Sequence, residues 1–298
     1  AILKQINILK ERGYIFESST RKGYRLIYAP NLLTPLEIDS ALHTETFGRH
    51  VVYLSSTTST NEEAKKIARE GAEEGTIVVA EEQTGGRGRL TRSFYCPFAK
   101  GIWFTLILRP KFFPLEASKC TLMAAVGVCR GIRRLGLQDA GIKWPNDILY
   151  HGKKLVGILT EMSASMEKID YIIIGAGINT GMKKSEFPEL FRESATSFLA
   201  EGIDVSRKDL LAAILAELEK EYEIAQTQGF DKVLEDWKAL SITLGQDVRV
   251  IMGEENYTGK AVDIDKDGCL LVDTGEKVER VIAGDVSIRP IDAPLPKR

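Results

Sequence analysis

The stretch from Gln83 to Arg92 combines residue types that could bind phosphates and a carboxylate. It holds three glycines and three arginines, in the order Gln83-Thr84-Gly85-Gly86-Arg87-Gly88-Arg89-Leu90-Thr91-Arg92. Glycines permit a tight turn that aims several backbone N–H groups at one point, and arginines form paired hydrogen bonds with carboxylates and phosphates. The spacing differs from that of a P-loop, GxxxxGK[ST]. The sequence predicts an anion-binding loop of another kind; the alternative is a solvated basic turn.

A second stretch, Lys143-Trp144-Pro145-Asn146-Asp147, also carries groups suited to a nucleotide. Lys143 could neutralise a phosphoryl group. Asn146 and Asp147 could hold Mg²⁺ or a ribose hydroxyl, because Mg²⁺ takes a few protein oxygens together with phosphate and water. The alternative is a proline turn in which Asn and Asp serve only as turn formers.

A third candidate is Lys154, which follows a predicted hairpin turn at His151-Gly152. The turn places this lysine at the start of the apolar strand Leu155–Glu161, where its ammonium could meet the carboxylate of an apolar substrate. A lysine that only protects a strand edge is the alternative.

A fourth candidate, Gly175-Ala176-Gly177-Ile178-Asn179, follows the apolar run Tyr171–Ile174. The small residues would let a ligand lie against the end of a strand, with Asn179 available to a ribose or phosphate. The stretch lacks the third glycine of a dinucleotide fingerprint, so alone it is a weak signal.

The elements that must position these groups form a predicted mixed sheet with helices packed on it. Ser59-Thr60-Asn61-Glu62 has the pattern of a capping box at the start of a helix that ends at Gly71. Further helices are predicted at 35–43, Lys119–Leu135, Ser206–Ala225 and Phe230–Leu240. Further strands are predicted at Val51–Leu54, Thr76–Glu81 and Ile102–Leu108, the last of them central.

The first 30 residues differ from the rest in charge. They carry six Lys or Arg and two Glu, a net charge of +4, which leaves −6 for the remainder of a chain with net charge −2. The sequence predicts a helix over residues 1–12 and a hairpin with a basic tip. This pairing resembles the end of a winged helix-turn-helix, in which a helix enters the major groove and a wing contacts phosphates. The candidate DNA contacts are Lys4, Arg21 and Lys22; a surface hairpin with merely solvated charges is the alternative.

The last part of the chain has the texture of a small all-β barrel or sandwich, with short apolar runs between turns that contain Gly and Asp. The runs are Val248–Met252, Lys260–Ile264, Cys269–Val272 and Val278–Ile282. A length of 298 residues favours two or three domains. The four cysteines form no CxxC pair and are expected to be free thiols in a reducing cytoplasm. The start at Ala1, within a helix, indicates a piece of a longer protein.

Together, the motifs resemble the signature series of the biotin protein ligases. The series is Ser59-Thr60-Asn61, then Gln83 to Arg89, then Lys143 to Asp147, then Lys154 to Glu161, then Gly175 to Asn179. The resemblance spans about residues 2–290 and is similar to the bifunctional members that also repress the biotin operon. It implies a winged-helix remnant over 1–30, a class II synthetase-like α/β catalytic domain over 31–242 and an SH3-like β domain over 243–298.

The resemblance also implies roles for individual residues. The residues implied to bind biotin are Ser59, Thr60, Asn61, Gln83, Arg87, Gly88, Arg89, Lys154 and Gly157. Those implied to bind ATP or the adenylate are Arg89, Arg92, Phe94, Lys143, Asn146, Asp147 and Asn179. Arg89, Lys143 and Lys154 would be catalytic, and Asp147 would hold Mg²⁺. Phe94 stands where some members have tryptophan, and its ring would stack on adenine.

The implied activity is formation of biotinyl-5′-AMP from biotin and ATP, then transfer of biotin to a lysine of the carrier protein of acetyl-CoA carboxylase or a related carboxylase. The implied regulator is a homodimer on operator DNA, with biotin as corepressor precursor. Neither a membrane partner nor a location outside the cytoplasm is expected. Two other interpretations are a biotin sensor without catalysis, which Lys143, Asp147 and Lys154 argue against, and a lipoate or octanoyl transfer enzyme.

Overall fold

The computed structural model describes residues 2–11, 14–19, 23–28, 31–89, 92–252, 255–282 and 285–287. The chain divides into two compact units, residues 1–32 and 33–298. The helices are α1 (Ile2–Glu11), α2 (Pro35–Asp39), α3 (Thr60–Arg69), α4 (Cys120–Arg134), α5 (Arg207–Gln228) and α6 (Asp231–Leu240). Across the described part of the chain, no helix has the length and apolar character that crossing a membrane requires.

The strands fall into three sheets. The first eight are β1 (Ile15–Ser19), β2 (Gly23–Tyr28), β3 (Val51–Leu54), β4 (Ile77–Ala80), β5 (Gly101–Leu108), β6 (Gly141–Lys143), β7 (Asp147–Tyr150) and β8 (Lys153–Ala164). The remaining six are β9 (Ile169–Asn179), β10 (Asp247–Met252), β11 (Glu255–Ile264), β12 (Leu270–Asp273), β13 (Val278–Val281) and β14 (Asp285–Ser287).

The N-terminal unit consists of α1 and the antiparallel hairpin β1–β2. Ile6 and Tyr14 are buried within it, whereas Ile2 is exposed. The predicted helix and hairpin are therefore present. Among the predicted DNA contacts, Lys4 is exposed on α1, and Arg21 and Lys22 lie outside the described residues.

The second unit is built around a seven-stranded sheet with the order β3-β4-β5-β9-β8-β7-β6. Only the β3–β4 pair of this sheet is parallel. Successive residues of a strand point to opposite faces, so Val78, Ile107 and Ile173 pack under α3 while Ile77, Leu106 and Ile174 join the core on the other face with α4 and α5. The predicted mixed α/β fold is confirmed.

Helices α4 and α5 approach each other closely because α4 carries glycine at their contact. A Cβ on Gly127 would lie 2.9 Å from the Cα of Leu218, and one on Gly131 would lie 2.7 Å from the Cα of Ile214. Neither contact could be relieved by a side-chain rotation, since the opposing atoms belong to the backbone.

We expect Gly131→Ala to lower the free energy of unfolding by about 1–2 kcal/mol. Overpacking a core costs about 1–3 kcal/mol, and the better helix propensity of alanine offsets up to about 1 kcal/mol of it. Urea denaturation followed by circular dichroism measures the difference. A variant as stable as the wild-type protein would show that the two helices separate here without cost.

A five-stranded antiparallel sheet with the order β13-β12-β11-β10-β14 forms the C-terminal part. Its inward residues, including Val248, Ala261 and Leu270, join the same hydrophobic core as α4 and α5. The expected all-β region is confirmed, with β14 as a strand that the apolar pattern did not indicate.

Two local predictions were wrong. Ser59 lies at the N-terminal cap of α3 but makes no side-chain cap hydrogen bond; Gln83 Oε1 instead accepts from the backbone N–H of Thr60 at 2.7 Å, so no capping box forms. The stretch Gly175–Asn179 does not follow a strand but continues β9. Pairing with β5 on one side and β8 on the other overrides the weak strand propensity of glycine.

Candidate functional site

An open cleft lies between the start of α3, the loop after β4 and strands β8 and β9. Ten predicted site residues line it: Ser59, Thr60, Asn61, Gln83, Arg87, Gly88, Phe94, Asn146, Lys154 and Gly157. Four separate segments thus converge on one cleft, as the motifs predicted.

Uncharged polar groups form one end of the cleft. Gln83 Oε1 accepts from Thr60 N at 2.7 Å and from Thr60 Oγ1 at 3.0 Å, and Gln83 Nε2 donates to Cys96 Sγ at 3.2 Å. Thr105 Oγ1 lies 2.8 Å from Thr60 Oγ1 and donates to Asn61 Oδ1 at 2.7 Å. Burial raises the pKa of Cys96 to about 12, so its thiol stays neutral and supports Gln83 rather than acting as a nucleophile.

A pair of glycines forms an apolar floor beneath Phe94. Gly157 and Gly177 are register partners on β8 and β9. A Cβ on Gly157 would lie 3.0 Å from Phe94 Cε2, and one on Gly177 would lie 2.8 Å from Phe94 Cε1. The ring also meets Trp103 edge-to-face at 6.0 Å between centroids. The glycines therefore make a flat surface that accepts an aromatic ring.

Charged groups form the other end. Lys154 Nζ lies 2.7 Å from Asp147 Oδ1, and Lys143 Nζ lies 3.8 Å from Asp147 Oδ2. Burial alone would raise the pKa of Asp147, but the charges of Lys154, Lys143 and Arg89 outweigh burial and hold this pKa below its ordinary value. Two ammonium groups against one carboxylate leave a positive surplus that suits a polyanion.

The Gly-Arg loop reaches this charged end through Arg89. Arg89 Nη1 donates to Asn146 Oδ1 at 3.3 Å, and Asn146 Nδ2 donates to the carbonyl of Ile158 at 2.7 Å. Arg87, by contrast, is 67% exposed and lies 3.9 Å from Glu62 Oε1. Arg89 thus joins the predicted phosphate groups, while Arg87 covers the cleft from its rim.

The C-terminal part of the chain holds the turn between β6 and β7 that carries Asn146, through Thr243 before β10 and Gly268 between β11 and β12. Trp144 Nε1 donates to the carbonyl of Gly268 at 3.0 Å, and Trp144 N donates to Thr243 Oγ1 at 2.9 Å. Trp144 itself is buried. Trp144, for which the sequence motifs predicted no role, therefore anchors the turn.

The structure does not bring every predicted residue into the cleft. Arg92 is exposed, and its carbonyl accepts from Gly88 N at 2.7 Å. Asn179 is buried, and its Nδ2 donates to the carbonyl of Thr196 at 3.0 Å. Among the described residues, no group of three or more His, Cys, Asp or Glu could hold a metal ion.

Six further residues line the cleft. Gly175, Ala176 and Gly177 belong to the stretch that was predicted to lie against a ligand, whereas Phe104, Ile158 and Leu159 had no predicted role. The small residues of β9 carried a usable signal, because glycine inside an apolar strand often marks a close approach of another group. Phe104, Ile158 and Leu159 carried none, since they resemble any strand interior.

The chain is similar in sequence to known protein families and to individual relatives. The profile of the Biotin/lipoate A/B protein ligase family matches residues 53–179, and that of the Biotin protein ligase C terminal domain matches residues 243–289. The bifunctional ligase/repressor BirA of Bacillus subtilis is 39% identical over 97% of this chain and 89% of its own length. The biotin–[acetyl-CoA-carboxylase] ligase of Mycobacterium tuberculosis is 32% identical over 80% and 88%.

Among solved structures, a biotin protein ligase from Aquifex aeolicus, in complex with biotin and ATP, superposes with a TM-score of 0.69. It is 29% identical, and the match covers 81% of this chain and 99% of that one. The mixed α/β fold with its C-terminal antiparallel sheet fits the expected class II synthetase-like architecture. With this similarity over nearly the whole chain, and with the motif residues gathered in one cleft, the chain belongs to the biotin protein ligase family.

Proposed function

We propose that the chain forms biotinyl-5′-AMP from biotin and ATP and transfers biotin to a lysine of the biotin carboxyl carrier protein of acetyl-CoA carboxylase or a related carboxylase. The observation that carries this proposal is the position of Lys154, within 2.7 Å of Asp147 and on the wall of a cleft that has an uncharged polar end. Such a cleft can bind an acid with an apolar chain so that its uncharged head lies at the polar end. The carboxylate at the other end of the ligand then lies near Lys154, where it can meet a phosphate of a nucleotide.

The polar end suits the ureido head of biotin, with Ser59, Thr60, Asn61 and Gln83 as partners. Gly157, whose floor carries the ring of Phe94, would lie beside biotin. The remaining groups divide between the two substrates. Arg87 and Gly88 would cover biotin, Arg89 and Lys154 would meet its carboxylate and the α-phosphate, and Arg92, Phe94, Lys143, Asn146, Asp147 and Asn179 would serve ATP.

The reaction needs no protein nucleophile. A carboxylate oxygen of biotin attacks the α-phosphorus of ATP, the bond to the β-phosphate breaks, and pyrophosphate leaves. Lys154, Lys143 and Arg89 stabilise the charge that grows on the phosphoryl oxygens. The mixed anhydride is labile in water, so closure of the Gly-Arg loop over it would hold it for the acceptor lysine.

Mg²⁺ would enter with ATP, and Asp147 is the candidate protein ligand. Its side chain is 17% exposed, and the distance from its Oδ2 to Lys143 Nζ, 3.8 Å, is longer than a hydrogen bond. A single carboxylate fits the way Mg²⁺ binds together with phosphates and water. The ion would neutralise phosphate charge.

Biotin-dependent exchange of labelled pyrophosphate into ATP tests the enzyme assignment. Exchange with biotin, and not with lipoate or octanoate, would support it. Saturable biotin binding without exchange would favour a sensor, and exchange driven by lipoate or octanoate would favour the related transfer enzymes.

We expect Arg89→Ala to weaken retention of the adenylate more than its formation, because Arg89 links the glycine-rich loop to Asn146. Release of biotinyl-5′-AMP into solution, followed by rapid filtration, should accelerate about tenfold or more, as expected for loss of a charged hydrogen bond. Arg69→Ala, an exposed arginine on α3, is the control. Equal release from the wild-type protein and the Arg89 variant would contradict this role.

The second proposed activity is repression of biotin synthesis genes by a homodimer on operator DNA, with the adenylate as corepressor. Relatives named bifunctional ligase/repressor support it, as do the helix and hairpin of residues 1–30, with Lys4, Arg21 and Lys22 as DNA contacts.

Residues 31–242 would be the catalytic domain and 243–298 the SH3-like domain. Four free cysteines and the use of ATP favour the cytoplasm. A gel shift with biotin and ATP tests repression.

A further inference from the structure

Glu161 lies behind the polar end of the cleft and contacts a residue that lines it. Its Oε2 accepts from Asn61 Nδ2 at 2.8 Å, and its Oε1 lies 2.7 Å from Lys65 Nζ. Asn61 Nδ2 also points at the carbonyl of Leu159 at 3.5 Å. Asn61 is held from below as well, because a Cβ on Gly175 would lie 2.0 Å from Asn61 Oδ1. The amide is therefore clamped in one place by strands β8 and β9.

Glu161, and at a longer distance the carbonyl of Leu159, fix which way the Asn61 amide faces. A carboxylate can only accept hydrogen bonds, so the amide must turn its NH₂ group towards Glu161 and its oxygen towards Thr105. The hydroxyl of Thr105, which has a single hydrogen, then donates its hydrogen bond to Asn61 Oδ1. The 2.8 Å contact between Thr105 Oγ1 and Thr60 Oγ1 therefore receives no hydrogen from Thr105.

This order of hydrogen bonds leaves acceptors facing the cleft. The hydroxyl of Thr60 donates its hydrogen bond within the protein, either to Thr105 Oγ1 or to Gln83 Oε1, which lies at 3.0 Å. Lone pairs of Thr60 Oγ1 and Asn61 Oδ1 remain for a ligand. A cyclic urea presents N–H donors, so it matches such a surface.

We propose that Glu161 is a positioning residue that sets the hydrogen-bond polarity of the biotin pocket through Asn61. This inference rests on the proposed function, because it assigns the N–H groups of the biotin ureido ring as the ligand of the polarised surface. Glu161 acts only through Asn61 and is not placed against substrate.

Lys65 makes the proposal testable. Its ammonium only donates, and it bonds Glu62 Oε1 at 2.9 Å as well as Glu161. In Glu161→Gln, Lys65 holds the new amide oxygen, so the new NH₂ group faces Asn61. The Asn61 amide must then rotate and donate to Thr105, which reverses the chain of hydrogen bonds. Removing Lys65 as well lets the introduced glutamine turn its oxygen back towards Asn61.

The experiment measures the KM for biotin and the KM for ATP in pyrophosphate exchange for four proteins beside the wild type. We expect Glu161→Gln to raise the KM for biotin about tenfold, the effect of one misplaced buried hydrogen bond, with the KM for ATP unchanged. Lys65→Met should stay within about twofold of the wild type. The double variant Lys65→Met/Glu161→Gln should fall closer to the wild type than Glu161→Gln does. Glu167→Gln, an exposed glutamate on the β8–β9 turn, controls for charge.

Three results would overturn the inference: a biotin KM unchanged in Glu161→Gln, a parallel rise in both KM values, or a double variant no better than the single one. The last two would indicate a merely structural role. A wild-type protein without any biotin-dependent exchange would instead overturn the proposed function, so the two failures are distinguishable.

Discussion

Lys154→Ala is expected to lower the rate of biotin-dependent pyrophosphate exchange on the order of 10²- to 10³-fold, the usual loss when one preorganised donor to a developing charge is removed. Lys154 Nζ lies on the wall of the cleft, 5.6 Å from the centroid of the Phe94 ring. Asp147 Oδ1, 2.7 Å from Lys154 Nζ, holds the ammonium in this position. The ammonium is thus aimed before substrates arrive, and the alanine variant loses both the charge and its orientation.

Lys153→Ala is the matched control, because Lys153 neighbours Lys154 on the same hairpin and does not line the cleft. It should retain exchange within about twofold, as expected of a surface substitution away from the site. Lys154→Arg tests geometry, since a planar guanidinium cannot reproduce a compact ammonium. Exchange by Lys154→Ala at the wild-type rate would remove Lys154 from the chemistry and, with it, the main support for the proposed mechanism.

The site residues that could best be predicted from the sequence are those whose grouping is unusual in a purely structural loop. Gly86 and Gly88 beside Arg87 and Arg89 indicated an anion loop, and Gly88 lines the cleft while Arg89 reaches Asn146. The central strand β5 was equally predictable, because a nearly continuous apolar run is the pattern of a strand buried on both faces. All eight residues of β5 are buried.

What the sequence concealed depends on contacts between distant segments. Asn61 and Glu161 are a hundred positions apart, and nothing in either local pattern announces that they bond. The anchor of Trp144 on Gly268 spans 124 positions. The extent of β9 was misjudged for a similar reason, since Gly175 and Gly177 are required by Asn61 and Phe94 above them rather than by a turn.

Arg207→Met is expected to lower the free energy of unfolding by about 3–5 kcal/mol, the cost of leaving one member of a buried ion pair without its partner. Arg207 is 1% exposed and Glu81 is fully buried. Arg207 Nη1 donates to Glu81 Oε2 at 2.7 Å, and its Nε donates to the carbonyl of Gly101 at 2.9 Å. Glu81 Oε1 also accepts from Leu33 N at 2.7 Å, so the pair ties α5, β4 and the start of the second unit together.

Urea denaturation of Arg207→Met, Lys184→Met and the double variant Glu81→Leu/Arg207→Met separates burial from charge removal alone. Lys184 pairs with Glu193 at 3.1 Å, but both side chains are more than half exposed, so its loss should cost less than about 1 kcal/mol. The double variant should recover part of the loss, because no uncompensated charge stays buried. An Arg207→Met protein as stable as Lys184→Met would mean that water reaches Glu81. The ion pair of Arg207 and Glu81 would then not be what holds these three segments together.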